Sequence, residues 1–307
     1  MTRFRAVRVR AHAKINLALG VGTRQSDGFH PLRTVFQSLD LHDTLELTLR
    51  PGPFALSCSD PAVPADDRNL VARAAGALWS ALGREGVPRG VAVHLTKHIP
   101  MQAGLGGGSS DAASALSALA RLWRFRGAPA DLAAIASRLG SDVPYFLLGG
   151  TALGLSRGEE LYPLEDLPAR SVVLALPAFG VSTADAYRWF DEAPLRTAGA
   201  PAGAATSIAA WRGWPLELRN DLEAPVTRRH PEIGAARRAL ESAGADAALM
   251  TGSGSAVFGL FATERAARRG ARAVAEAGFV ALPTRTVDRR TCQRVHFSFA
   301  SASPRHA

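Results

Sequence analysis

Lysine is nearly absent from this chain. Of its 36 lysine and arginine residues, only Lys14 and Lys97 are lysine. Chance accounts for such a pair as readily as selection does until the neighbours are considered. A compact ammonium, however, fits a crowded anionic site where a planar, forked guanidinium does not. Cysteine is scarce too. Cys58 and Cys292 have no metal-ligand spacing and are too few for a disulfide scaffold. No apolar run approaches the roughly 20 residues that span a membrane. The opening Met1-Thr2-Arg3-Phe4-Arg5 lacks a hydrophobic signal segment, so a cytoplasmic protein with no membrane partner is expected. The arginines behind the formal charge of +9 are scattered, with no stripe of interleaved aromatics. That disfavours nucleic acid and leaves smaller anions as ligands.

With 307 residues, 47% hydrophobic and 21% charged, the chain can bury a sizeable core and is long enough for two domains. No solenoid repeat is visible. Residues 8–19 alternate cleanly, with Val9, Ala11, Ala13, Ile15, Leu17 and Leu19 on one side and Arg8, Arg10, His12, Lys14 and Asn16 on the other. This is a half-buried strand. Its period places Lys14 and Asn16 as neighbours on one face, either converging on a ligand or simply solvated. Asp27-Gly28 marks a tight turn before one or two strands over 32–49. Helices are expected over 69–82, 111–123 and 131–139, with a strand over 91–95. Pro144 disfavours helical geometry at Val143, so Asp142 sits at a rigid bend, as a helix N-cap or as a catalytic carboxylate.

Between the strand at 91–95 and the alanine-rich helix lies Gly104-Leu105-Gly106-Gly107-Gly108-Ser109-Ser110-Asp111. Glycines let the backbone take positive φ and turn several N–H groups toward an anion. Ser109, Ser110 or Asp111 can cap the following helix, whose positive end would face a phosphate. A P-loop needs a Gly-Lys-Ser/Thr ending that is missing. The dinucleotide fingerprint loses its third glycine to Ser109 and lacks the ribose-binding acid. A ligand-free glycine connector stays open on the loop alone. Further on, a strand at 171–176 and an irregular Ala, Pro, Gly and Thr-rich stretch at 193–210 precede a helix at 232–243. A second glycine loop, Thr251-Gly252-Ser253-Gly254-Ser255, follows 247–250 and leads into a strand at 256–261, a helix at 264–277 and a strand at 279–282. That order resembles a split βαβ sandwich, and a flexible tail is expected over 300–307.

Taken together, Ala13-Lys14-Ile15-Asn16-Leu17, Asp27-Gly28-Phe29-His30, the segment 100–111, Ser141-Asp142-Val143-Pro144 and Thr251-Gly252-Ser253-Gly254 resemble the GHMP kinase superfamily. Within it they are similar to the family that phosphorylates 4-diphosphocytidyl-2-C-methyl-D-erythritol in the non-mevalonate isoprenoid pathway. The resemblance implies an α+β, two-domain fold. An ATP-binding domain like ribosomal protein S5 domain 2 would span 1–168, and a ferredoxin-like domain 169–299. It implies transfer of the ATP γ-phosphoryl group, with Mg2+, to the tertiary 2-hydroxyl, giving ADP and the 2-phosphate. Asp142 matches the catalytic aspartate and Lys14 its partner. Asn69, Leu70, Lys97, Pro100, Gly104, Leu105, Gly106, Gly107, Gly108, Ser109 and Ser110 match ATP-binding positions. For the substrate carrying a cytidine diphosphate, His30 matches the residue that reads the base edge. Phe29 and Tyr187 match its stacking aromatics, where the family more often has Tyr then Phe. Asn16 matches a contact to the erythritol end and Thr183 one to the sugar or diphosphate. The metal ligand stays open between Ser110, Asp111 and water, and a monomer or homodimer is expected. A kinase for another small alcohol, such as mevalonate or homoserine, and a catalytically silent nucleotide-binding regulator are the alternatives.

Overall fold

The computed structural model describes residues 4–193 and 218–299. The expected irregular stretch from 194 onward and the expected tail at 300–307 lie outside the described residues. In chain order the first half comprises β1 (Phe4–Val21), β2 (Leu32–Pro53), β3 (Ala55–Cys58), α1 (Leu70–Ala81), β4 (Arg89–Thr96), α2 (Gly107–Leu122), α3 (Pro129–Leu139), α4 (Val143–Leu148), β5 (Thr151–Ser156) and β6 (Glu160–Pro163). The second half runs β7 (Ser171–Leu176), α5 (Thr183–Glu192), β8 (Arg219–Asn220), α6 (Glu223–Arg229), α7 (Pro231–Ser242), β9 (Ala247–Met250), β10 (Val257–Phe261), α8 (Glu264–Glu276), β11 (Val280–Arg285), α9 (Arg289–Cys292) and β12 (Val295–Phe299).

Two sheets result. The larger has the order β12-β1-β2-β4-β3, with β5 paired to the first part of β2, β6 to β5, and the short β8 to β1. The smaller, β11-β7-β10-β9, is antiparallel throughout, and with its helices forms the ferredoxin-like arrangement. Strict alternation along its strands explains why it is covered on both faces. Val172, Leu174, Phe258 and Leu260 pack on the large sheet, while Val173, Ala175, Val257 and Phe261 pack under its own helices.

β1 ties the molecule together. Its odd-numbered residues enter three cores in succession: Val7, Val9 and Ala11 under α1 and α2, Ala13, Ile15 and Leu17 between the sheets, and Leu19 and Val21 in the ferredoxin-like half. The register with β2 shifts between His12 and Lys14 and again between Asn16 and Ala18, as a long twisted strand needs when its surroundings change. The opposite face is therefore not solvated along its length. His12, Lys14 and Asn16 are each 3 to 4% exposed.

Two local expectations are corrected. α2 is not capped by Ser109, Ser110 or Asp111, because it begins at Gly107 with Gly106 as N-cap at φ +72°. Ser110 instead donates its hydroxyl to the His12 carbonyl at 2.7 Å. Val143 is helical rather than extended and opens α4, and Pro144 behind it sits in the first turn, where no N–H is required. Asp142 occupies the N-cap position but makes no side-chain capping bond, so its carboxylate is free for other work. Periodicity did not reveal α5, α6, the β5–β6 hairpin or the return of β12 to β1.

Candidate active site

β1, the α2 N-terminus, the 142–144 bend and the second glycine loop converge on one cavity of about 610 Å³. Gly104 and Gly106 hold φ +75° and +72°, in the left-handed region open to glycine. Space demands glycine as well. A Cβ at Gly104 would lie 2.3 Å from the Thr251 carbonyl oxygen, and one at Gly106 would lie 2.6 Å from the Phe146 ring. Since Gly106 offers no side-chain cap, the first N–H groups of α2 are left for an anion, and the helix dipole favours negative charge there.

Lys14 faces this cradle. Its Nζ donates to Asn16 Oδ1 at 2.7 Å and lies 3.8 Å from Asp142 Oδ2. Burial lowers the Lys14 pKa, and the Asp142 charge opposes that shift. The lysine side chain is 5% exposed whereas that of Asp142 is 36% exposed, so the carboxylate is the member of the pair open to a ligand. Asn16 is fixed in turn. Its Nδ2 donates to Thr34 Oγ1 at 2.7 Å, and its backbone N–H donates to Thr251 Oγ1 at 3.0 Å. Its amide is thus spent inside the protein, orienting Lys14, although the residue lines the cavity.

Lys97 answers the arginine-rich composition differently. Its Nζ bonds Asp43 and, at 2.6 Å, Asp111 Oδ2. Asp43 also accepts the N–H groups of His98 and Ile99, which anchors the backbone just ahead of the glycine loop. Burial pushes the Asp111 carboxyl up to about 7, against the pull of Lys97. For Lys97, burial is outweighed by its two carboxylates and the pKa is raised. A point charge fits between two buried carboxylates beneath Gly107, whose Cβ would lie 3.4 Å from Nζ.

The other matched residues divide. Leu70, Pro100, Gly104, Leu105, Gly106, Gly107, Gly108, Ser109, Thr183 and Tyr187 line the cavity together with Lys14, Asn16, Lys97 and Asp142. Asn69 instead caps α1, accepting from Val71 and donating to the Pro64 carbonyl. Phe29 and His30 stand one residue behind the wall. His30 Nδ1 donates to the Gly22 carbonyl at 2.9 Å, which leaves Nε2 to face Asp191 at 3.2 Å, and the ring stacks on Tyr187 at 5.4 Å. Burial, then the Asp142 charge, raises the Tyr187 pKa, so its phenol stays a neutral donor. Phe29 is 51% exposed, and the Arg157 guanidinium covers its ring at 3.7 Å while pairing with Asp27 at 2.9 Å.

Sequence reasoning missed three supports. Asn220 donates to the carbonyls of Met250 and Gly252, both at 2.8 Å, and so fixes the second loop against Gly104. Arg157 and Asp191 hold the two rings of the Phe29–His30 turn. No motif marks them, since each acts through a partner 30 or more residues away. Among the described lining residues Asp142 is the sole carboxylate. Ser110 and Asp111 are both buried and bonded elsewhere. One carboxylate and nearby hydroxyls fit a Mg2+ that keeps mostly water and phosphate oxygens. No helix among the described residues is long and apolar enough to cross a membrane.

Comparison with known proteins agrees with this geometry. The GHMP kinases N terminal domain matches residues 69–150 and the GHMP kinases C terminal domain residues 207–280. The 4-diphosphocytidyl-2-C-methyl-D-erythritol kinase of Solibacter usitatus (strain Ellin6076) is 45% identical over 271 residues, covering 85% of this chain and 83% of the relative. A crystal structure of 4-(cytidine 5'-diphospho)-2C-methyl-D-erythritol kinase superposes with a TM-score of 0.75 at 38% identity, over 91% of this chain and 98% of that one. Homoserine kinase from Cytophaga hutchinsonii, at 19% identity and a TM-score of 0.68 over 94% and 96% of the two chains, shares the fold alone. With a cradle, a Lys–Asp pair and relatives matched over most of their length, this chain belongs to the 4-diphosphocytidyl-2-C-methyl-D-erythritol kinase family of the GHMP kinases.

Proposed function

We propose that this chain transfers the γ-phosphoryl group of ATP to the 2-hydroxyl of 4-diphosphocytidyl-2-C-methyl-D-erythritol, releasing ADP and the 2-phosphate. The reading rests on the buried Lys14 ammonium 3.8 Å from the more accessible Asp142 carboxylate, both facing the glycine cradle in one cavity. Asp142 accepts or orients the hydroxyl proton. Lys14 favours the ionised Asp142 and the developing alkoxide, and its own orientation is held by Asn16. Because phosphoryl transfer has a loose transition state, placement in the cradle carries more of the rate than full deprotonation does. Mg2+, when bound, screens the β- and γ-phosphate charge. Asp142 and Ser109, which line the cavity, would meet its shell.

At the other end, cytosine stacks on Phe29 and Tyr187 and presents its polar edge to His30. Stacking uses the ring face, so Phe and Tyr can exchange places. Thr183 contacts the sugar or diphosphate. The ATP-binding domain ends near 168, with 169–299 closing the cleft and β12 returning to the first sheet. The protein works in the cytoplasm, as a monomer or homodimer.

Magnesium-dependent ADP release tests this reading, with the cytidyl substrate set beside mevalonate, homoserine and galactose. Turnover of the cytidyl substrate alone is expected. Turnover of another alcohol would keep the chemistry and move the pocket, and an ATP-binding sample that turns over none would be a silent regulator.

A further inference from the structure

Behind the phosphate loop, β1 and β2 lose their register. His12 pairs with His42, but Lys14 pairs with Ser38, so the residues between Ser38 and His42 bulge. At this bulge one ligand-capable atom from each of His12, Asp40 and His42 lies within 4.8 Å of the others. The hydrogen bonds fix the tautomers. His12 Nδ1 contacts the Leu39 carbonyl at 2.8 Å and His42 Nδ1 the Asp40 carbonyl at 2.5 Å. A carbonyl oxygen only accepts, so both Nδ1 atoms carry hydrogen, and in the neutral ring the lone pair is on Nε2. Backbone carbonyls holding the far nitrogen are the usual support of ligating imidazoles.

A second observation is independent of the spacing. His12 is 4% exposed, and its Nε2 is a buried polar atom without a hydrogen-bond partner. Such an orphan carries a desolvation cost that a bound cation would remove. Asp40 Oδ2 accepts from Arg285 Nε at 3.1 Å, which steadies the carboxylate and leaves its other oxygen open. Asp40 is 31% exposed at the side chain, giving an entry path.

We propose that His12 Nε2, His42 Nε2 and an Asp40 carboxylate oxygen bind one divalent transition-metal ion of the zinc class. Two imidazoles and one carboxylate suit zinc, cobalt or nickel, whereas magnesium and calcium take oxygen shells. Bonds of about 2.0–2.1 Å in a tetrahedron set ligand spacings shorter than 4.8 Å. The partly exposed His42 and Asp40 therefore close on the buried His12 when the ion enters, and a fourth position is left for water. The ion pins β2 to β1 at the bulge. Because the His12 carbonyl holds the Ser110 hydroxyl, the pin stands at the back of the phosphate loop and takes no part in the transfer step.

Cobalt titration of the chelator-stripped protein tests the site, read by visible absorption. The expected result is a four-coordinate band that saturates at one equivalent and is displaced by zinc. H42A keeps kinase activity and native circular dichroism but binds cobalt at least about tenfold more weakly, the scale of loss seen on removing even an outer-shell partner. If H42A does not fold, D40N carries the same comparison. No four-coordinate band, or an unchanged titration in the folded variant, overturns the proposal.

Discussion

The two ends of the cavity are built differently. At the phosphate end Lys14, Asn16 and Asp111 are buried and the Lys97 side chain is 8% exposed. Hydrogen bonds and ion pairs inside the protein hold Lys14 to Asn16 and Asp142, Asn16 to Thr251, and Lys97 to Asp43 and Asp111. At the base end Phe29 is half exposed, and its ring is covered by Arg157 rather than by core. Chemistry that stabilises a developing charge gains from dipoles fixed before the substrate arrives. Recognition of a planar ring needs only faces that can be uncovered. The phosphate end is therefore fixed by bonds inside the protein, while at the other end Arg157 and Asp191 already occupy the Phe29 face and the His30 Nε2 that the proposed base would use.

The sharpest way to break this contrast is Asp142→Asn. Turnover should fall by about 10²- to 10⁴-fold, the usual contribution of a positioned acid or base, with ATP affinity nearly kept. Near-normal turnover in single-turnover kinetics would remove Asp142 from the mechanism. Lys14→Arg comes next, at about 10²-fold in turnover, the scale of a lost preorganised donor. The charge survives, but a larger, forked guanidinium replaces a compact ammonium that is 5% exposed and held between Asn16 and Asp142. Full activity would refute the case for a rare lysine.

At the base end the effects should move to KM. His30→Ala should raise KM for the cytidyl substrate about tenfold, since one lost hydrogen bond with a charged or well-placed partner is worth that much, and leave KM for ATP nearly unchanged. Equal effects on both would erase the distinction between the two ends. Arg157→Ala uncovers Phe29 and should lower the cytidyl KM by about 2- to 5-fold, the equivalent of an exposed cation–π contact. A rise would mean that Arg157 meets the substrate instead of standing in its place.

The last effect is on stability rather than on turnover. Burial raises the Asp111 pKa to about 7 in the folded protein. Its contribution is then fully present below the unfolded value and is lost as pH rises through about 7. Denaturant titrations should show wild type losing stability relative to Asp111→Asn across that interval. A constant difference would place the charge on Asp111 throughout.

Elements with strong local patterns were legible in the sequence. The strand Ser171–Leu176 and the helix Pro129–Leu139 stand within two residues of expectation, because one residue period and one turn signal decide each. α5 escaped notice because only Ala186 in it is fully buried, so it lacks a long apolar stripe. Lys14 and Asn16 were readable as neighbours on one face, and the glycine run as a place where backbone approaches something closely.

By itself the sequence determined which residues could do chemistry: a lone lysine on a strand, an aspartate before a proline, and glycines at the mouth of a helix. Those properties are covalent and local, set by side-chain type and by the conformations that glycine and proline permit. Only tertiary structure decided that Asp142 faces Lys14 rather than caps α4, that Asn220 holds the second loop over Gly104, and that Lys97 is locked between Asp43 and Asp111. The Lys14–Asp142 partners are 128 residues apart along the chain. Their meeting is fixed by the packing of two sheets around β1, which no local period encodes.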